Sequence, residues 1–280
     1  MTKKDLRAYF PLFALPTFIA FLIGFIVPFG LGIYLSFCKF TTVNDAIPVG
    51  MSNYKDMFDD DFKHALWYTA AFAVVSVVTI NVFGFAIAML LTKGIRGTNI
   101  FRTVFFMPNL VGGIVLGYIW QLILNGILAN FGVTLTYSET YGFWGLIVLM
   151  NWQQIGYMMI IYIAGIQNVP PELIEAAKID GATGRQVLGN VILPMVMPSI
   201  TICTFLTLTN SFKLFDQNLA LTNGLPGNRS ELLALNIYNT FYGRVGYEGV
   251  GQAKAVVFSI IVGAIAIIQL VLTHRKEVQQ

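Results

Sequence analysis

The sequence predicts an all-α protein, a polytopic membrane bundle of six transmembrane helices with one structured cytoplasmic loop. Two observations carry this. Of the 280 residues, 56% are hydrophobic and 11% charged, whereas a soluble domain carries about 25% charged residues. Six runs also reach the ~20 mainly apolar residues that a helix needs to cross the hydrocarbon core. These are Phe10 to Phe37, Ala65 to Leu91, Val104 to Leu124, Phe143 to Gly165, Val196 to Leu221 and Ala255 to Thr273. They are long and continuously apolar, unlike the short alternating segments of a transmembrane barrel.

The first run follows Lys3, Lys4 and Arg7 as a signal peptide would, but it is too long for a secretory apolar region and no small-residue cleavage site follows. It is expected to be a retained helix, with Pro28 freeing a carbonyl and suggesting a kink. Residues 38–64 then read as a polar outer loop whose Asp56, Asp59, Asp60 and Asp61 are solvated. After the second run come Lys93, Arg96 and Arg102. The third run contains Pro108 and the glycines 112, 113 and 117, small enough for close helix approach. The fifth contains Pro198, with Lys213 and Asp216 spaced to pair across one turn. Residues 222–250 read as a second outer loop. Neither outer loop is long enough for a domain of its own, so residues 1–280 are expected to form one membrane domain.

Orientation follows from basic residues near the helix ends. With the N-terminus inside, the cytoplasmic side holds Lys3, Lys4, Arg7, Lys93, Arg96, Arg102, Lys178, Arg185, Arg275 and Lys276, against Lys39, Lys55, Lys63, Arg229, Arg244 and Lys254 outside. Both termini are expected in the cytoplasm. The net charge of +3 thus reports topology and gives no reason to invoke nucleic acid. Cys38 and Cys203 read as buried small hydrophobes, since two cysteines lack the spacing of a metal site. His64 and His274 read as interfacial.

The most informative stretch is the loop of residues 166–195. Pro170 and Pro171 suit a helix start, and Glu172 sits near its positive dipole end. Gly181 offers the left-handed conformation that ends such a helix. Thr183 and Gln186 have capping-box spacing for a second helix, which Pro194 is expected to limit. In the first helix Leu173, Ala176 and Ala177 share one face, and Glu172 and Glu175 another. Small alanines allow a partner surface to come close. An amphipathic helix lying on the membrane would instead prefer bulky apolar residues with basic neighbours.

Glu175-Ala176-Ala177, Asp180-Gly181-Ala182 and Ile192-Leu193-Pro194 together resemble the cytoplasmic signature of permease subunits in binding-protein-dependent ABC importers. The resemblance extends along the chain through Arg102 to Pro108, Trp120, Trp152, Phe212 to Asp216 and Leu221 to Gly224, details similar to the carbohydrate-uptake branch of maltose and multiple-sugar permeases. It implies a multi-pass subunit of the bacterial cytoplasmic membrane that moves a sugar or oligosaccharide inward by alternating access. It also implies that the loop's first helix is a coupling helix, with Glu175, Ala176, Ala177 and Gly181 at the matching positions, seated in a groove of a separate ATP-binding subunit present in two copies. ATP and magnesium would belong to that subunit, because this chain has no phosphate-cradling Gly-x-x-x-x-Gly-Lys-Ser/Thr loop. Further implied partners are a second permease, expected to be a different chain, and an extracytoplasmic sugar-binding protein. Maltose permeases proper carry additional N-terminal spans and a large external domain, which favours the shorter multiple-sugar members here.

Two polar helix faces lie near mid-bilayer. One carries Gln153, Gln154 and Tyr157, the other Thr207, Asn210, Ser211 and Leu214, at i, i+3 and i+4 spacings. Read from the residues, they are either interhelical hydrogen-bond glue or the lining of a pathway. The resemblance implies the second reading, with Met150, Gln153, Gln154, Tyr157, Thr207, Asn210, Ser211 and Leu214 at sugar-contacting positions. Neutral donors and acceptors with a nearby aromatic ring suit sugar hydroxyls and ring faces. The rival function is an ion-coupled secondary transporter, which normally places acidic or histidine groups within its spans. A membrane enzyme would need a catalytic cluster, and none is visible.

Overall fold

The computed structural model describes the backbone of residues 3–274, with side chains from Pro11 to Val271 apart from Leu12. The side chains of Lys3, Lys4, Arg7 and His274, and all of Arg275 and Lys276, lie outside the described residues. In chain order the elements are α1 Lys3–Phe21, α2 Val27–Leu35, a minimal hairpin of β1 Cys38–Lys39 and β2 Ile47–Pro48, α3 Ser52–Asp56, α4 Asp60–Leu91, α5 Thr98–Phe106, α6 Gly113–Leu128, α7 Glu139–Gln167 and α8 Pro171–Ile179. Then come α9 Gly184–Val187, α10 Leu193–Met195, α11 Met197–Phe212, α12 Asp216–Leu221, α13 Leu233–Gly243 and α14 Glu248–His274. Among the described residues five helical stretches are long and apolar enough to cross a bilayer, or six when Gly184–Met195 and Met197–Phe212 count as one span bent by 71°.

Prolines shape these spans in two ways. A π turn at Leu22–Ile26 precedes Pro28, and another at Leu188–Ile192 precedes Pro194, with Val27 and Leu193 donating their amides five residues back. The wider turn gives the slack that proline needs, because proline lacks an amide and presses on the preceding turn. Helix therefore continues through both prolines. The expectation that Pro194 limits the second loop helix is corrected: the break falls at Val196, just ahead of Pro198 in the first turn of α11. At Pro108 no π turn forms. There α5 gives way to a 3-10 turn, Met107–Leu110, and Gly112 is extended before α6 begins. The third span accordingly covers Gly113–Phe131, further along than the apolar run suggested.

The fifth run is also interrupted, because α11 stops at Phe212 and α12 restarts at Asp216. Lys213 and Asp216 are both exposed on either side of this break, and among the described residues no ion pair joins them. Residues 222–250 are not all loop, since they contain α13 and the start of α14.

The chain divides into two compact units, residues 1–59 with 237–259, and residues 60–236 with 260–280. In the first, Asn53 is buried and its Nδ2 donates to the carbonyls of Ser36 and Cys38, both at 2.9 Å, satisfying backbone acceptors where the chain leaves α2. The expectation corrected here is that of a solvated Asp59, because Lys254 of α14 is fully buried beside it. Its Nζ donates to Asp59 Oδ2 at 3.1 Å and to Thr240 Oγ1 at 3.0 Å, and Arg244 lies 3.6 Å from the same carboxylate. Asp59 is thus the counter-ion of a buried cation.

In the second unit, α4, α7 and α11 pack around a core that includes Phe72, Ile80, Leu149, Met158, Tyr162 and Cys203. Between helices in lipid the gain comes from close packing more than from leaving water, so small residues matter at the contacts. A methyl group at Gly117 would lie 2.6 Å from Ala220 Cβ, which is how α6 fits against α12. At Gly156 of α7 the Phe105 carbonyl of α5 occupies the space a side chain would need. Val74, Val78 and Val82 point outward from α4 at i+4 spacing, an apolar stripe suited to hydrocarbon.

Candidate functional site

The loop of residues 166–195 has the two helices its punctuation implied. Pro170 is extended and caps α8, while Pro171 occupies the first turn, where a missing amide costs nothing. At the other end Gly181 has φ of 81°. Its amide donates to the Lys178 carbonyl at 3.0 Å and that of Ala182 to the Ala177 carbonyl at 2.9 Å, the paired bonds of a Schellman ending. Thr183 and Gln186 cap α9 reciprocally, with the Thr183 amide 2.8 Å from Gln186 Oε1. Two helix ends with satisfied amides and carbonyls make the loop a fixed shape.

This shape divides the residues to which the resemblance assigns coupling differently from the sequence pattern. Glu172, Leu173, Glu175 and Ala176 are exposed, as is Ile179 at 86% of its surface. Ala177 is half-buried and packs with Ile174 and Ala182 against the core of the second unit. The outward surface is therefore Glu175 with Ala176, flanked by Leu173 and Ile179. Ala177 holds the helix to the bundle, and Gly181 turns the chain.

The mid-span polar residues are likewise divided. Met150, Thr207 and Ser211 are fully buried, and Gln153 and Leu214 nearly so. Ser211 Oγ donates to the Thr207 carbonyl at 2.7 Å and lies 3.9 Å from Met150 Sδ, joining α11 to α7. Gln153 Oε1 accepts from Gln217 Nε2 at 2.8 Å, tying α7 to α12. Thr207 Oγ1 is 3.4 Å from Asn81 Nδ2 of α4, and Asn81 Oδ1 accepts from Tyr162 at 2.6 Å. These residues spend their hydrogen bonds inside the chain. Gln154, Tyr157 and Asn210 are only half-buried, and Tyr157 packs against Phe106 with ring centroids 6.3 Å apart. Gln154 Oε1 and Asn151 Oδ1 are shielded from solvent yet have no hydrogen-bond donor. Unpaired acceptors at membrane depth are costly and call for a donor from elsewhere.

Residues 80–277 match the family of binding-protein-dependent transport system inner membrane components, a stretch holding the entire loop and both polar faces. This chain belongs to that family. The permease is 44% identical over 278 residues to a probable starch degradation products transport system permease of Thermoanaerobacterium thermosulfurigenes, covering 96% of this chain and 94% of that one. It is 32% identical over 265 residues to a multiple sugar-binding transport system permease of Streptococcus mutans, covering 91% of each. Its fold matches a chain in the crystal structure of a bacterial ABC transporter involved in alginate import, with a TM-score of 0.81 over 97% of this chain and 98% of that chain, at 20% identity. The permease is thus a membrane transport component of an ABC importer and not an enzyme, and the ion-coupled reading gives way to ATP-driven import.

Asn81, Gln217 and Asn218 join segments of the permease, and the reading of the sequence singled out none of them. Asn218 is fully buried, with Oδ1 accepting from the Leu232 amide and Nδ2 donating to the Ser230 carbonyl, both at 2.8 Å. It thereby pins the turn after α12. The signal for Asn81 was present as a single amide in a long apolar run, where an unpaired polar group is not tolerated.

Proposed function

We propose that this permease carries a sugar or oligosaccharide inward across the bacterial cytoplasmic membrane by alternating access, driven by ATP hydrolysis on two copies of a separate subunit that holds ATP and magnesium. The observation that carries this reading is the outward surface of α8, where exposed Glu175 and Ala176 lie beside the Gly181 turn in a loop capped at both ends. A rigid lever with a small-residue tip is what transmits subunit closure to a bundle. Relatives named for starch products and multiple sugars support an α-glucan oligosaccharide as cargo. A second permease and an extracytoplasmic sugar-binding protein complete the importer. Residues 1–280 act as one permease domain, with residues 166–195 as its coupling loop and both termini in the cytoplasm.

In this reading Gln154, Tyr157 and Asn210 face the pathway, with Gln154 Oε1 free to accept from a sugar hydroxyl or from the second permease. Met150, Gln153, Thr207, Ser211 and Leu214 form the wall behind them, reaching cargo only as the bundle moves.

The test is uptake of labelled oligosaccharide by proteoliposomes holding the complete importer with its binding protein. Glu175→Arg is expected to reduce ATP-driven uptake at least tenfold while sugar binding to the binding protein stays intact. Undiminished uptake by that variant would sink the coupling role. Gln154→Leu is expected to change the ranking of oligosaccharide lengths without loosening the ATPase.

A further inference from the structure

Behind α8, on the side away from Glu172 and Glu175, lies a cavity of about 970 Å³. It is bounded by the ends of α4 and α7, the inner face of α8, and the start of α9 with the adjoining π turn. Sites for small ligands span roughly 300–1,000 Å³, so this one has room for a sizeable group. The charged residues lining it are Lys93 and Lys178, with no acid. Among the described residues neither lysine has an ion-pair partner. Thr92 and Gln167 add polar atoms, and apolar side chains such as Ile174 and Leu188 make up much of the remaining wall.

That combination selects an occupant. Two lysines near the ends of α4 and α8 also answer the negative ends of those helix dipoles, but that role needs no cavity. A free anion such as phosphate would satisfy the cations and leave the apolar wall wet. An uncharged lipid would do the reverse. A group with an anionic head continuous with an apolar body satisfies both. The cavity lies beside the ends, at Leu91 and Gln167, of two helices long and apolar enough to cross a membrane, and headgroups border the hydrocarbon core that such spans cross. Basic pockets at the cytoplasmic ends of membrane helices take acidic phospholipids in this way.

We propose that the cavity binds the headgroup of an acidic phospholipid from the cytoplasmic leaflet, its phosphate answered by Lys93 and Lys178 and its glycerol-ester region by Ile174 and Leu188. The inference rests on the loop being cytoplasmic. A lipid there braces α8 from behind, so the stiffness of the coupling loop depends on the acidic lipid content of the membrane.

The complete importer is purified and lipid retention read by native mass spectrometry, then uptake is compared in phosphatidylcholine vesicles with and without phosphatidylglycerol. The wild type is expected to retain phosphatidylglycerol and to transport several-fold faster with it present. The double variant Lys93→Gln, Lys178→Gln is expected to retain it roughly 30-fold less tightly and to transport equally in both vesicles. Leu188→Trp, which fills the apolar wall and keeps both lysines, is expected to behave likewise. Equal retention by wild type and both variants overturns the proposal, as does restoration of fast uptake in phosphatidylcholine by inorganic phosphate or glycerol phosphate, which would make this a free-anion site. Retention is read without transport, so an importer that moves no sugar in either vesicle counts against the function and leaves the lipid result standing.

Discussion

Lys254 and Asp59 lie 195 positions apart in the chain and meet where no pattern of either neighbourhood announces it. A buried cation that loses its counter-ion costs about 3–5 kcal/mol, because the charge remains desolvated. Asp59→Ala is therefore expected to lower the thermal midpoint of the purified protein sharply, while Asp59→Ala combined with Lys254→Met recovers much of the loss. A full-sized drop in the double variant would show that packing, not charge, holds this corner. Asp45 differs in kind: its carboxylate accepts from the amides of Thr42 and Thr41, and those bonds hold its pKa below the ordinary carboxylate value. A lowered folded pKa gives a contribution present above the unfolded value and lost as pH falls through the folded one. Protection of the Thr41 and Thr42 amides, taken relative to intrinsic exchange at each pH, is expected to fall on acidification through that range, and Asp45→Asn to leave that protection low at every pH. At this scale the sequence was a mixed guide. It picked out residues by type, such as the polar set on α7 and α11, but charge alone could not tell a solvated aspartate from the counter-ion of a buried cation.

The helices obey rules that act within a few residues, and there the sequence was far more readable. Caps are the plainest case: Pro171, Gly181, Thr183 and Gln186 were placed by spacing alone and occupy those roles. Gly181→Ala puts a Cβ into left-handed backbone at ~1–2 kcal/mol. It is expected to raise exchange across residues 171–181 and to weaken co-purification of the ATPase subunit. Gly156→Val drives a branched side chain into the Phe105 carbonyl and is expected to cost ~1–3 kcal/mol, since backbone cannot yield as a side chain end can. Gly126, with open space beside it, supplies the contrast: Gly126→Ala is expected to stabilise α6 by roughly 0.5–1 kcal/mol. A thermal shift in detergent reads both, and equal effects would dismiss the close-approach account. Proline was the less legible signal. Pro28 and Pro194 are absorbed by π turns, whereas Pro108 ends a helix, and the outcome at each proline depends on neighbours beyond its own turn.

For the whole molecule, an importer subunit must present one rigid surface to a motor and one adjustable surface to its cargo. In the function proposed above, the exposed tip of α8 would be the first surface and the half-buried Gln154, Tyr157 and Asn210 part of the second. The contacts of half-buried Asn81 with Thr207 and of buried Ser211 with Met150 join the helices behind that polar set. Tyr162→Phe removes the donor to Asn81 Oδ1, and an unsatisfied buried acceptor costs about 1–3 kcal/mol. Slower uptake with unchanged ATPase binding is expected, and loss of ATPase binding would instead tie this bond to the loop. By itself the sequence determined the membrane class, the approximate set of spans and the capped helices of the loop at residues 166–195. Bilayer thickness sets a length that can be counted, and caps are settled by residues a few positions apart. Only the tertiary structure decided that Ala177 turns inward, that Lys254 is buried, that α11 stops at Phe212, and which polar side chains bind one another. Each of those depends on which helix packs beside which, and distant segments acquire that relation only when they meet.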